Sequence, residues 1–427
     1  MTISKSSLSD AFSVCVLFLA TGALTTVFVS PMSPGEIVGG SPLMQGIWSS
    51  IYLIVLIRAA QIRYMIGQTL RQNKLLVGLV ALAVISSLWS GSPSTTLRRS
   101  IATALSTLFA VDLSIRYTLR KQIQLISIAV GSAVILSAVL ELVYPGLVPK
   151  AVFGVIQVDE ATWNGLFPHK NGFGHVLAIG TVCVLSLGLR TRVSYMLSGI
   201  CFAGILALTA AAQSRTSLLI SLLMVSLWPL LTVLHWRQRT RRTLGMVISL
   251  IAVGLLYVGL QAADALAAGL GRSSDMTGRT EIWALSVDSI LDRPVLGFGL
   301  SGFWDVSEDS ARIRSVIGWD TPYAHSAYID TTLQLGVVGL ILCAGIALVG
   351  VTRAVSYTRH LRTSESMWPL ACILFSLSYG ITESDFLTSN WIFWMIFVSA
   401  VCTVSTPAVR PALPSYIFTN EGVAFSR

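Results

Sequence analysis

The sequence predicts an all-α polytopic membrane protein, and three observations carry that prediction. Of 427 residues, 54% are hydrophobic and 11% charged, with a mean hydropathy of +0.74, a balance that ordinary soluble domains do not reach. Apolar runs of about 17 to 24 residues recur along the chain, too long for barrel strands and long enough to cross a bilayer at about 1.5 Å per residue. The net charge is +9, yet the basic residues are spread over alternate loops, which is a topology signal rather than a nucleic-acid patch.

About twelve spans are expected, near residues 11–30, 47–66, 75–90, 100–115, 122–144, 174–190, 195–212, 217–234, 244–263, 327–351, 366–383 and 388–406. The first follows a short region with one Lys5 and lacks a small-x-small cleavage pattern, so it reads as a retained span. Arg63, Arg71 and Lys74, then Arg116, Arg120 and Lys121, then Arg190 and Arg192, then Arg237 to Arg242, then Arg353, Arg359 and Arg362 mark every second loop as cytoplasmic, and both termini with them. Asp159, Glu160, Asp275, Asp292, Asp305, Asp320, Glu383 and Asp385 fall on the outer side. The resulting organisation is nine helices over 1–263, a large periplasmic loop over 264–326, three helices over 327–406 and a cytoplasmic tail over 407–427. A second outer loop runs from 145 to about 173; long loops in compact proteins are usually functional. Cytoplasmic connections are too short for an ATP-binding domain, so any chemistry belongs to the outer face and draws on an energised substrate. All six cysteines lie in predicted spans, so no disulfide framework or zinc site follows from them.

Inside the large loop, Gly278-Arg279-Thr280-Glu281-Ile282-Trp283 opens an amphipathic helix with Trp283, Val287, Ile290 and Leu291 on one stripe; Asp292-Arg293-Pro294 ends it. Such a helix suits the membrane surface. Gly297-Phe298-Gly299-Leu300-Ser301-Gly302 matches G-x-G-x-x-G, but no strand precedes it, so the glycines read as loop turns and not as a dinucleotide site.

Arg279 lies in the first turn of its helix, where the macrodipole repels cations and favours anions. A guanidinium beside free helix N–H groups makes a phosphate site. Arg215, in Gln213-Ser214-Arg215-Thr216, sits likewise at a helix start on the outer side. The alternative for both is a headgroup anchor. Phe167-Pro168-His169-Lys170-Asn171-Gly172 offers a second histidine and a third cation, read as substrate contact. Glu383-Ser384-Asp385 has too few ligands for a divalent metal and reads as acceptor-sugar hydrogen bonding or helix capping. Arg58, Asp112 and Glu141 lie within or at the ends of spans, where ionisable groups are costly; they read as a structural pair or as a transporter's coupling relay.

Thr321-Pro322-Tyr323-Ala324-His325-Ser326 closes the large loop and leads into the next span. The partial positive charge of a helix N-terminus disfavours an imidazolium, leaving a ring nitrogen of His325 to accept a proton as a general base must. As a lone histidine it would read as a boundary anchor.

Gln213-Ser214-Arg215-Thr216, Gly278-Arg279-Thr280-Glu281-Ile282-Trp283 and His325-Ser326-Ala327-Tyr328 followed by Gly336 together resemble the O-antigen ligase and polysaccharide polymerase (WaaL/Wzy) superfamily, most of all its ExoQ-type exopolysaccharide polymerases. The resemblance implies a metal-independent, cofactor-free glycosyltransferase of GT-C type in a bacterial inner membrane, polymerising undecaprenyl-pyrophosphate-linked repeat units of a succinoglycan-like exopolysaccharide at the periplasmic side. It implies His325 as general base on the acceptor hydroxyl, and Arg215 and Arg279 on the pyrophosphate. Tyr323, His169, Lys170, Asn171, Glu383 and Asp385 are then expected to line the glycan site. A chain-length regulator and export proteins are the implied protein partners. Ligases commonly carry Asn after the histidine, whereas this chain has Ser326. An O-antigen ligase acting on lipid A core and a twelve-helix secondary transporter are the other readings; no internal repeat supports transport.

Overall fold

A computed structural model describes residues 5–24, 42–143, 163–167, 169–187, 192–234, 279–405, 418–419 and 422–423. Among these the protein is all-α apart from a two-residue antiparallel pairing of Phe418–Thr419 with Gly422–Val423. The helices are α1 (Lys5–Ala20), α2 (Pro42–Gln61), α3 (Arg63–Gln72), α4 (Lys74–Ile85), α5 (Pro93–Arg116), α6 (Leu119–Val143), α7 (Lys170–Ser186), α8 (Arg192–Ala211), α9 (Arg215–Val233), α10 (Arg279–Asp292), α11 (Gly302–Val306), α12 (Glu308–Ile317), α13 (Ala327–Leu361), α14 (Trp368–Tyr379) and α15 (Ile392–Ser405).

The expectation of about twelve spans does not hold. Among the described residues five helices, α2, α6, α8, α9 and α13, are long and apolar enough to cross a membrane. A sixth is added if α3 and α4, with the short turn after α4, form one span bent by 95°. Apolar runs overcount spans here because a run measures composition, and a span requires unbroken helix. The runs at 366–383 and 388–406 are cut by the turn over 380–391 into helices of 12 and 14 residues. The helix α5 is long enough, but Ser, Thr and Arg lower its hydrophobicity. The predicted span at 244–263, residues 264–278 and most of the tail at 407–427 lie outside the described residues.

Nor do the described residues of the predicted loop stand apart as a separate periplasmic body. Residues 279–326 fold into α10, α11 and α12 and pack on α13, with Ile282, Phe303, Trp304, Ile313, Ala324 and Leu333 forming a small core of their own. The helix α10 ends at Asp292 as its sequence predicts, but it buries Arg279, Ile282, Ser286 and Ser289. Val287 and Leu291 of the anticipated stripe face outward. The buried face of α10 thus carries serines as well as apolar residues, which an apolar-stripe argument does not see.

Two local devices position the site. Ser307 caps α12 by accepting from the Asp309 N–H, and Gly318 ends it at φ 77°, so the chain reverses toward His325. At Gly336 (φ 65°, ψ −169°) α13 breaks. Its freed backbone groups pair with the turn segment after α10: Phe298 N–H donates to the Leu333 carbonyl (2.8 Å), Gly299 N–H to Gln334 (2.8 Å) and Val337 N–H to Pro294 (2.8 Å). A broken helix in an apolar protein needs such substitute partners. The glycines of G-x-G-x-x-G therefore serve a docking surface: a Cβ on Gly297 would approach the Leu333 carbonyl oxygen to 2.5 Å.

Candidate functional site

The loop before α13 holds His325 in a left-handed conformation, φ 54°. For a β-carbon-bearing residue this costs about 1–3 kcal/mol and persists only where the surroundings over-determine it. Here they do. Arg314 Nε donates to the Thr321 carbonyl (3.0 Å) and pairs with Asp320 (2.8 Å). Trp283 Nε1 donates to the Ala324 carbonyl (2.9 Å), and the Ala324 N–H donates to Asp330 Oδ2 (2.9 Å). Asp330 is buried and also accepts from Trp304 Nε1 (2.7 Å) and the Ser384 hydroxyl. The Ser326 N–H donates to Ser384 Oγ (3.2 Å) and the Ala327 N–H to the carbonyls of Gly380 (2.8 Å) and Glu383 (2.9 Å). The first amides of α13 are thus taken up by the 380–384 turn and are not free beside His325, as the sequence argument supposed.

The imidazole of His325 packs against Tyr323 (ring centroids 4.5 Å) and Trp319 (5.7 Å). Its Nδ1 lies 3.5 Å from Glu383 Oε2. Glu383 is the hub of the cluster. Its Oε1 accepts from Arg279 Nη2 at 2.8 Å and from Asn171 Nδ2 at 3.5 Å. A second imidazole, His175, places Nε2 3.7 Å from Oε2. Neither ring nitrogen of His175 has a hydrogen-bond partner among the described residues, and the ring is walled by Tyr379 (4.7 Å), Phe393 (5.3 Å) and Trp391 (5.9 Å). Burial alone would raise the Glu383 carboxyl, but the neighbouring imidazoles of His175 and His325 hold it well below the usual carboxylate range. Asp385, two residues on, is pushed up to about 6 by burial, with Glu383 adding to the rise and His175 opposing it. Its Oδ1 accepts from Trp391 Nε1 at 2.7 Å, and Oδ2 is buried without a partner among the described residues.

The fold therefore brings together five of the residues singled out from sequence: His325, Tyr323, Arg279, Glu383 and Asn171. Asp385 lies beside them. His169 is the exposed N-cap of α7, with Nδ1 accepting from the Asn171 N–H (3.2 Å), and Lys170 is the half-buried first residue of that helix. Arg215 opens α9, exposed, with no ion pair to any described carboxylate. The start of its helix reaches the cluster through Ser217, hydrogen-bonded to Ser214 (2.8 Å) and to the Tyr379 hydroxyl (2.7 Å). The supposed transporter relay divides. Arg58 and Arg116 both bind Asp112, at 2.7 and 2.6 Å, whereas Glu141 accepts the N–H groups of Asn164 and Gly165 (2.9 Å each). Among the described residues no group of three or more His, Cys, Asp or Glu is arranged to hold a metal. Sequence reasoning missed His175 and Asp330. The available signal was an ionisable residue inside an apolar run, which in a membrane is costly unless it has a use.

Residues 200–344 match the family model Wzy_C, described as O-antigen ligase. Arg215, Arg279 and His325 fall within that stretch; His175, Glu383 and Asp385 fall outside it. The chain is also similar to the exopolysaccharide production protein ExoQ of Rhizobium meliloti (strain 1021), 25% identical over 357 residues and covering 75% of each protein. The buried cluster of histidine, glutamate and arginine thus lies in a chain that is similar, over residues 200–344, to the O-antigen ligase (Wzy_C) family model and, over three quarters of its length, to an exopolysaccharide production protein.

Proposed function

We propose that this protein is a glycosyltransferase that polymerises lipid-pyrophosphate-linked oligosaccharide repeat units into an exopolysaccharide, with His325 as general base. The observation that carries the proposal is the strained loop that presents His325 Nδ1 to Glu383, with Arg279 on the opposite carboxylate oxygen. In the neutral tautomer that carries its proton on Nδ1, 3.5 Å from Glu383 Oε2, the imidazole has Nε2 free to accept a proton. That nitrogen takes the proton of the acceptor hydroxyl as the hydroxyl oxygen bonds to the anomeric carbon. The bond from that carbon to the pyrophosphate oxygen breaks, and its electron pair leaves on the lipid pyrophosphate. Glu383 stabilises the imidazolium that results, the part a carboxylate plays behind a catalytic histidine. Arg279 and Arg215 bear on the leaving diphosphate, whose charge grows in the transition state. Direct displacement of this kind inverts the anomeric configuration, and the broken phosphoester bond supplies the driving force. Similarity to a protein named for exopolysaccharide production favours polymer over transfer to lipid A core.

The test is to incubate the purified protein with defined lipid-linked repeat units, with and without lipid A core acceptor. Polymer formed without core supports the reading; transfer to core alone replaces it with ligation. His325→Ala is expected to lower turnover by about 10²–10⁴-fold while lipid-linked repeat units accumulate in cells. Wild-type polymer from that variant removes the general base.

A further inference from the structure

At the end of α13 remote from His325 lies a cavity of about 370 Å³. One wall is cationic, formed by Arg71, Lys74 and Arg353, and the other apolar, formed by Leu76, Ile346 and Val401. Arg353 is tied to the rim: its Nη1 and Nη2 donate to the Gln72 carbonyl, each at 3.2 Å, and Nη1 also donates to Asn73 Oδ1 at 3.3 Å. No carboxylate among the described residues pairs with any of the three cations. Asn73, between α3 and α4, makes no side-chain cap for α4, whose first turn contributes to the cavity. Amides there favour an anion. Among the described residues, Gln72 Oε1 is buried without a partner. Three uncompensated charges, uncapped amides and an idle acceptor around one hollow call for an anion that also carries a donor. Leu75 and Val77 on α4 and Ile341 and Leu348 on α13 are exposed, so the rim continues onto apolar faces that acyl chains can cover.

We propose that this cavity binds the phosphodiester of an anionic phospholipid with a hydroxyl-bearing headgroup, the phosphate on Arg71, Lys74 and Arg353 and a headgroup hydroxyl donating to Gln72 Oε1. Free inorganic phosphate shares the anion chemistry but has no use for the apolar faces. Basic pockets between membrane helices recognise anionic headgroups in this way.

The experiment uses the full chain in neutral detergent, titrated separately with phosphatidylglycerol, phosphatidylcholine and inorganic phosphate, with bound lipid counted by native mass spectrometry and stability followed by thermal melting. Phosphatidylglycerol is expected to be retained and to raise Tm, phosphatidylcholine and phosphate not. Arg71→Gln with Lys74→Gln, both exposed and without a side-chain hydrogen bond among the described residues, is expected to weaken phosphatidylglycerol about 25-fold, roughly five-fold per charge, at unchanged basal Tm. Equal retention of phosphatidylcholine, stabilisation by inorganic phosphate alone, or an unaltered affinity in the double variant each overturns the proposal. None of these outcomes depends on glycan chemistry at His325.

Discussion

Glu383 sets the charge balance of the site. One oxygen faces a guanidinium and the other two imidazoles, so a carboxylate that burial would otherwise neutralise stays ionised, and under the proposed mechanism it stabilises the imidazolium of His325. Glu383→Gln keeps the shape and removes the charge. Turnover is expected to fall by about 10²–10⁴-fold with KM little changed, because the lost interaction strengthens only as the proton arrives; a KM effect alone would make Glu383 a binding residue. Asp385 behaves in the opposite sense. Its carboxyl is shifted from 3.8 to about 6, so between those pH values the folded protein keeps a proton that the unfolded chain releases. Stability therefore falls as pH rises across that window, by on the order of 3 kcal/mol. Glu383, held low, acts the other way: its contribution is present above its ordinary 4.5 and is lost as pH falls below it. Thermal melts in detergent from pH 4 to 6.5 are expected to show Asp385→Asn abolishing the decline on the alkaline side of pH 4. A slope identical to wild type would show that Asp385 titrates normally.

At the scale of elements, the break in α13 holds the loop of His325 against its support. Because Gly336 leaves the helix, the backbone from 294 to 299 can pair with the exposed groups at 333 to 338, and α10, which carries Arg279, is thereby fixed relative to the helix that follows His325. A Cβ on Gly336 would fall on the Val295 carbonyl, and its φ of 65° is strained for any other residue. Gly336→Ala is expected to destabilise by more than about 3 kcal/mol and to lower glycan turnover with it, whereas Gly199→Ala on α8, where a Cβ meets nothing within 4 Å, leaves both unchanged. A Tm for Gly336→Ala within a degree of wild type would mean that the break is not required. The sequence showed part of this element. The start of α13 and the end of α10 were marked by a polar-to-apolar change and by Asp292-Arg293-Pro294. The partnership of Gly297, Gly299 and Gly336 was not, because hydrogen bonding between segments more than thirty residues apart leaves no periodic trace in either.

For the whole molecule, composition disclosed the class and misjudged the count. Hydropathy finds apolar runs, but around the site the chain spends them on short helices, α7, α14 and α15, whose ends meet in the turn that carries Glu383. His175 escaped notice for the same reason: within an apolar run it has no neighbours in sequence, and its partner lies 208 residues away. What the charge pattern predicts and the fold makes testable is orientation. After the break, Val337 to Leu361 is continuous helix, and 25 residues at about 1.5 Å each reach roughly 38 Å, beyond a hydrocarbon core of about 30 Å. His325 and Arg359 therefore belong at opposite ends of one span, with the basic end inside by the positive-inside rule. Tyr323→Cys and Arg359→Cys, each introduced at an exposed position after replacing the exposed Cys15 and Cys201 with Ser, can be probed in intact cells with a membrane-impermeant maleimide. Tyr323→Cys is expected to label before lysis and Arg359→Cys only after permeabilisation. The reverse pattern would put His325 on the cytoplasmic side, away from a lipid-linked donor displayed at the outer leaflet, and the proposed polymerisation there would fail whatever the geometry of the histidine.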